Sequence, residues 1–385
     1  MAEAEQLLAD LRGTLPESRF EVEPATVAGT LAGEDQWSVT IQPRSERDVA
    51  KTFAVAAKHG IPVRIGGRSP QGRAARWPGG VVRIDMTSLH DVLTLDQKSH
   101  LIQVRVGISV SILKAILGDA RLTTGWEMRV DEPHTLGAVL AGVVAVRCGP
   151  LYGTPAESIR ALTVILPSGE VFRSKVAPRS ATGPGLTSIF LNTHGRLGVL
   201  IEAAVRVFPQ PENTHCYVCR VPAATFANLA SWLAVGPLPH LVEAHVLPDG
   251  QAEVLVSLHG SEKTILLGKS AAEHALGTTL QDFTGIGSVP NIPTHRSVLK
   301  WSDVGAFVDA WQADPNRTYF QFANASTHSV HVFGGGPAVH EIIRNRMNAL
   351  AITNDPIDAL LRDLKRTLDP QNLLGDVPIG RHNNA

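Results

Sequence analysis

IPVRIGGRSPQG, residues 61–72, is the stretch on which the fold turns. An apolar, β-rich run ends at Ile65 and meets Gly66, Gly67, Arg68, Ser69, Pro70, Gln71 and Gly72. Three glycines and a proline this close together are too many for a helix, and the arginine and glutamine are too polar for a buried strand. Glycine reaches positive φ and leaves no Cβ, so successive amides can turn into one concavity and hold an anion, usually phosphate. The loop is neither a GxGxxG fingerprint nor a P-loop, since GK[ST] is absent. These residues alone also read as a glycine-rich turn between two strands.

On either side the pattern is α/β. WSVTIQ, from Trp37, alternates as a strand; Ser45 and Glu46 open an amphipathic helix that Gly60 is placed to end. VVRIDM, VLTL and LIQVRV are short β-rich runs, SVSILKAILGDA is helical, and PHTLGAVLAG (133–142) starts a further helix. IRALTVILPSGEVFRS reads as a hairpin turning at PSG, and GVLIEAAVRVF as a long strand that stops at the proline cluster PQPEN. Residues 2–14 form a short helix ahead of all this. After Pro211 the composition shifts: CYVCRV, LVEAHVL and AEVLVSLHG are strands, while FANLASWLAV and the region after Gly260 are helical. An amphipathic helix near the C-terminus stops at Asp369-Pro370, with Lys365 and Arg366 expected on its solvated face.

The bulk numbers bound the function. The 385 residues suffice for two domains of ordinary size, and a formal net charge of -1 argues against a nucleic-acid binder. The longest apolar run, Leu136 to Val146, is too short for the roughly 20 residues of a membrane span. The acidic, amphipathic start does not read as a secretory signal, and three cysteines make no disulfide framework, so a reducing cytoplasm is expected.

Two later stretches give the opening loop its meaning: DEPHTLGAVLAG leading into LYGTPAESIRALTVILPSGEV, and PRSATGPGLTSIFLNTHGRLGVLIEAAVRVFPQPE. In this order the motifs resemble the FAD-binding domain of the vanillyl-alcohol oxidase (PCMH-type) family, over residues 35–211. That family carries a GGGTSxxG loop, here Gly66 to Gly72, and then T-x-GG after a proline, here Pro133, His134, Thr135, Leu136 and Gly137 with Ala138 last. A YG pair follows, here Tyr152 and Gly153, and then GSEGTLGVITE, here NTHGRLGVLIE. PRSATGPGL and VRVFPQPE look most like the branch of alkylglycerone-phosphate synthase, D-lactate dehydrogenase and the glycolate oxidase FAD subunit. LKRTLDPQNLLG resembles the family's closing segment without its NPG.

The resemblance implies an α+β, two-subdomain PCMH-type fold with a smaller α+β cap. Residues 1–34 would be an N-terminal helical segment, 35–211 the FAD-binding domain, 212–355 the cap, and 356–385 a helix and tail returning to the FAD domain. It implies that the first loop cradles the cofactor's pyrophosphate. Pro133 to Gly137, Ala138, Ala141, Gly142, Val143 and Val144 would lie along its length. The amides of His194, Gly195, Arg196, Leu197, Gly198, Val199 and Leu200 would sit near adenine and ribose. Ser69 and Pro70 stand where covalent relatives carry a histidine, so the FAD is expected to be non-covalent. Cys148, near a second attachment point in some relatives, reads as a small buried thiol. Ala138, Val146 and His194-Gly195-Arg196 depart from the family pattern.

Fifteen histidines invite a metal reading, but HCYVC (215–219) has no second ligand pair at zinc-finger spacing, and positions 216 and 219 of a strand face opposite sides. His328 and His331, in the β-rich run THSVHVFGG of the cap, and His134 are candidates for the base of a flavin dehydrogenase, with ordinary strand histidines as the plainer reading. The expected function is hydride transfer from a small 2-hydroxy acid or related alcohol to FAD, without nucleic acid or membrane span. The alternatives are an FAD subunit within a glycolate-oxidase-type complex and a flavin-free scaffold with a binding or non-redox role.

Overall fold

The computed structural model describes residues 2–24, 26–27, 30–31, 37–66, 80–127, 134–144, 146–176, 185–284, 296–313, 320–323, 325–326, 329–334 and 356–375. Local signals set the first elements. The Glu46–His59 helix begins at a reciprocal cap: Ser45 Oγ accepts from the Asp48 amide, and the Asp48 carboxylate accepts from the Ser45 amide. It ends where Gly60, at φ 65°, turns its amide back on the Ala56 and Ala57 carbonyls. A cap of this kind contributes about 1 kcal/mol. Val49, Phe53 and Ala56, at helical spacing, form the buried stripe.

Two sheets share the first core. Trp37–Gln42, Gly80–Asp85 and Val63–Gly66 run parallel, with Arg19–Pro24 antiparallel along one edge. The second sheet is antiparallel, in the order Val171–Arg173, Ile159–Ile165, Val199–Arg206, Leu101–Arg105, Val92–Asp96. The Ala2–Thr14 and Glu46–His59 helices pack into the same core, which the closing residues Leu373 and Leu374 join.

The chain leaves this core after Val207, and Tyr217 already belongs to another. A seven-stranded antiparallel sheet follows, in the order Gln281–Phe283, Asn213–Pro222, Gln251–Gly260, Leu241–Val246, Phe320–Ala323, Ser329–Gly334, Arg296–Lys300. Alternation sorts its faces. Val242, Ala244, Val254, Val256, Phe320 and Phe322 face a layer of helices, Leu229–Val235, Glu262–Leu276 and Trp301–Gln312, within the second core. The opposite face carries Glu243, Ser257, His259 and Gln321 and meets the first unit. The α+β fold with a second α+β layer is as expected from sequence.

The Pro356–Leu368 helix returns to the first unit, and here one expectation fails. Lys365 is buried instead of solvated: its ammonium binds the Asp369 carboxylate and the Arg196 carbonyl. Asp369, also buried, accepts from the Leu373 and Leu374 amides, so the helix stop and the lysine form one polar knot. Arg366 is exposed and pairs with Asp363. Among the described residues no helix is long and apolar enough to cross a membrane.

Candidate cofactor site

Residues 134–144 are stitched onto the end of a strand. The Val110 amide donates to the His134 carbonyl (2.9 Å), Leu136 N to Ile108 O (2.9 Å) and Gly137 N to Val106 O (2.7 Å). Thr135 caps the following helix, its hydroxyl accepting from the Ala138 amide. That helix runs only from Leu136 to Leu140, shorter than the sequence pattern suggests, because Gly142 takes φ 79° and breaks it. A Cβ at Gly142 would stand 3.0 Å from the Asn192 Cα, so the segment needs glycine there to lie against the next motif. Val143 and Val144 follow, both amides turned back on the Ala138 carbonyl.

The 192–198 loop completes the contact. Asn192 N donates to Leu140 O and His194 N to Ala141 O, both at 2.9 Å. Asn192, His194 and Gly195 all have positive φ (57°, 54° and 73°), the backbone form that turns amides toward one side. A Cβ on Gly195 would come within 3.4 Å of Ile65, which puts the loop against the strand that leads into the glycine loop. Leu197, Val199 and Leu200 are buried anchors behind it. The structure therefore brings Gly66, residues 134–144 and residues 192–200 together. Residues 67–72 and Pro133 lie outside the described residues.

The donor set suits a phosphorylated cofactor. Among the described residues no backbone carbonyl accepts from the amides of Gly195, Leu197 or Gly198. Positive charge lies beside them. Burial, and then the neighbouring Arg196, lowers the Arg64 guanidinium to about 10, and the same two causes hold the His194 imidazole below its usual range. Arg196 donates to the Leu374 carbonyl and the Val63 amide to Leu373 O, so the returning C-terminal segment closes this corner. Unmatched amides next to two cations fit such a cofactor.

The YG pair lies elsewhere, at the seam with the second unit. Gly153 turns at φ 78°, and the Tyr152 ring packs on Phe208 with its hydroxyl 3.1 Å from His259 Nδ1. His259 stacks on His240, with ring centroids 3.8 Å apart. His240 Nε2 lies 3.0 Å from the Gly125 carbonyl; a carbonyl only accepts, so Nε2 carries the proton and Nδ1 can accept from Ser257 Oγ. Burial pushes His240 down to about 4. Burial and then His240 push His259 down to about 3, and burial raises the Tyr152 phenol to about 12. All three are neutral near pH 7. Beside them Arg147 Nε reaches both Glu243 carboxylate oxygens (2.9 and 3.0 Å), with both side chains buried.

Of the candidate bases, His134 is buried on the cradle. His331 occupies the register position between Ala323 and Val298, and His328 lies outside the described residues. Cys148 and Cys219 are buried thiols, Cys216 is half-buried, and among the described residues no group of three or more metal-ligating side chains forms. Arg147, Glu243, His240 and His259 were not singled out from the sequence. Their partners lie 96 to 115 residues away in the pairs Arg147–Glu243, Tyr152–His259 and Gly125–His240, and no local pattern marks them.

Comparison with known proteins agrees with this geometry. Residues 37–175 match the family model described as FAD binding domain. The chain is 28% identical over 183 residues to alkyldihydroxyacetonephosphate synthase of Caenorhabditis elegans, covering 45% of this chain and 30% of that one. It is 31% identical over 190 residues to the mitochondrial D-lactate dehydrogenase [cytochrome] of Arabidopsis thaliana, covering 48% and 32%. A solved alkyldihydroxyacetonephosphate synthase superposes with a TM-score of 0.68 at 15% identity, covering 87% of this chain and 75% of that chain. The aligned regions thus span about a third of the length of these two curated relatives. Residues 37–175 thus resemble an FAD binding domain, on a fold shared with that solved synthase.

Proposed function

We propose that this chain is an FAD-dependent oxidoreductase acting on a small 2-hydroxy acid or related alcohol, with its flavin held non-covalently. The observation that carries the reading is the convergence of Gly66, residues 134–144 and the 192–198 loop on one surface with Arg64 and Arg196 beside it. The glycine loop that begins at Gly66, with the two guanidiniums beside it, would hold the diphosphate, and the amides of Gly195, Leu197 and Gly198 would lie on the adenine and ribose side. Bound there, FAD supplies the acceptor for a hydride from the substrate carbon. His134, on the cradle, is our candidate to take the hydroxyl proton, with His331 as the candidate from the cap. Residues 35–211 would act as the FAD-binding domain and 212–355 as the cap, with 1–34 ahead of them and 356–385 closing the cradle.

A second reading is an FAD subunit of a larger oxidase complex. Val235, Leu266 and Leu267, on two helices packed against each other, expose large apolar side chains as a partner surface would.

The visible spectrum of the purified protein before and after acid precipitation tests the proposal. Flavin bands that bleach anaerobically with D-lactate or glycolate in the native protein, and that pass into the supernatant of an acid-precipitated sample, support it. A colourless protein that takes up no added FAD overturns it and favours the flavin-free scaffold. Co-purification of stoichiometric partner chains would select the subunit reading.

A further inference from the structure

A cleft of about 280 Å³ opens where the two cores meet. One wall is the Val110–Asp119 helix with the strand Leu122–Thr123; the other is formed by Thr214 and His259, which face each other across neighbouring strands of the second sheet. That space admits an acid of three to six carbons. None of its lining residues belongs to the cofactor cradle.

The polar lining has more hydrogens to give than acceptors to receive them. Thr123 Oγ1 already accepts from the Gly125 amide (3.0 Å) and Thr124 Oγ1 from the Trp126 amide (3.4 Å), which leaves each hydroxyl proton to be donated. The Tyr152 phenol and His259 Nδ1 share one hydrogen bond (3.1 Å), so the imidazole edge on the cleft donates or accepts according to its tautomer. Lys114 spends one N–H on Glu127, 3.1 Å away, and keeps two. Glu127 is the one carboxylate of the lining, and Lys114 already neutralises it. Leu117, Leu122 and Pro211 supply an apolar patch beside these donors.

We infer that this cleft binds a small monocarboxylate, with its carboxylate toward Lys114 and the threonine hydroxyls and its short carbon chain on Leu117, Leu122 and Pro211. The hydroxyl and ammonium donors select an oxyanion over a cation, with Glu127 competing for Lys114, and the apolar patch selects an organic acid over an inorganic anion. The site is separate from the proposed redox reaction and needs no flavin to form.

The test is calorimetric titration of the full chain with D-lactate and with its neutral isostere D-lactamide, using Lys114→Met and Glu127→Gln. Lys114 is partly exposed, so both substitutions leave the cores intact, and a thermal melt checks this. Saturable D-lactate binding should weaken about tenfold in Lys114→Met, the loss of one charge-assisted hydrogen bond. It should tighten several-fold in Glu127→Gln, where Lys114 is released to the ligand, and D-lactamide should bind at least tenfold more weakly than D-lactate. No saturable binding of D-lactate, pyruvate or butyrate, binding that both variants leave unchanged, or equal binding of D-lactamide would overturn the inference. A polyol site would show itself by that last outcome. A protein that fails to take up FAD leaves every arm of this test intact, so the two readings fail separately.

Discussion

Tyr152 and His259 meet at 3.1 Å across the seam between the two cores, 107 positions apart in the chain. The phenol belongs to the YG motif of the first unit, and the imidazole to the sheet of the second. Tyr152→Phe keeps the ring packing and strands a half-buried hydrogen-bond partner, so it should cost about 1–2 kcal/mol in denaturant unfolding. Gly125→Ala should cost more, about 3–5 kcal/mol, because its Cβ would fall 2.2 Å from the Tyr152 ring on a backbone at φ 73°.

The Arg147–Glu243 pair should show strong non-additivity. Either Arg147→Met or Glu243→Gln alone leaves an uncompensated buried group and should cost about 3–5 kcal/mol for the charged remnant. The double substitution Arg147→Met/Glu243→Gln should recover most of that loss. A double-mutant cycle by urea unfolding measures the coupling; two additive losses would mean that the groups do not act as a pair.

Acid should loosen the same seam. His240 and His259 have folded-state pKa values depressed to about 4 and about 3, so the folded state prefers them neutral. The unfolded chain binds protons first, near pH 6.5. The stabilisation from neutral burial is therefore complete above that pH, falls as pH drops below it, and is exhausted as pH passes the folded values. For the fully buried His240 the loss is about 3 kcal/mol. Stability measured from pH 7 to pH 4 should fall by an amount of this order, and His240→Gln should flatten the slope.

Gly66 separates a ligand effect from a folding effect. A Cβ there would sit 3.5 Å from the Ile84 carbonyl, an ordinary contact, so Gly66→Ala should leave the melting temperature within about 2 °C. If the surface beside it holds a diphosphate, the same substitution should lower flavin affinity at least tenfold, read by fluorescence quenching. Gly142→Ala should fail both ways, since it strains a positive φ and presses on Asn192.

Where the chain's signals are local, the sequence was readable. Ser45 and Gly60 bracket their helix as expected, and PSG turns the hairpin between Ile159–Ile165 and Val171–Arg173. The order of glycine motifs pointed to one neighbourhood: Gly142 lies against Asn192, and Gly195 lies against Ile65, the residue before Gly66. Contacts between distant segments were not readable. Lys365 sits on an amphipathic helix in the pattern of a solvated residue, and only the folded chain shows that the Arg196 carbonyl and Asp369 claim it. Glu243 lies on a strand whose two faces are both buried, so alternation could not mark it as the partner of Arg147.

The buried Arg147–Glu243 pair also restricts how the chain can be recombined. A second unit grafted from a relative joins the first cleanly only if its strand brings a carboxylate at the position of Glu243 and a neutral ring to the Gly125 carbonyl. A chimera lacking either would carry an unsatisfied guanidinium or a stranded carbonyl through its centre, and would fail at the graft before its loops or its substrate mattered.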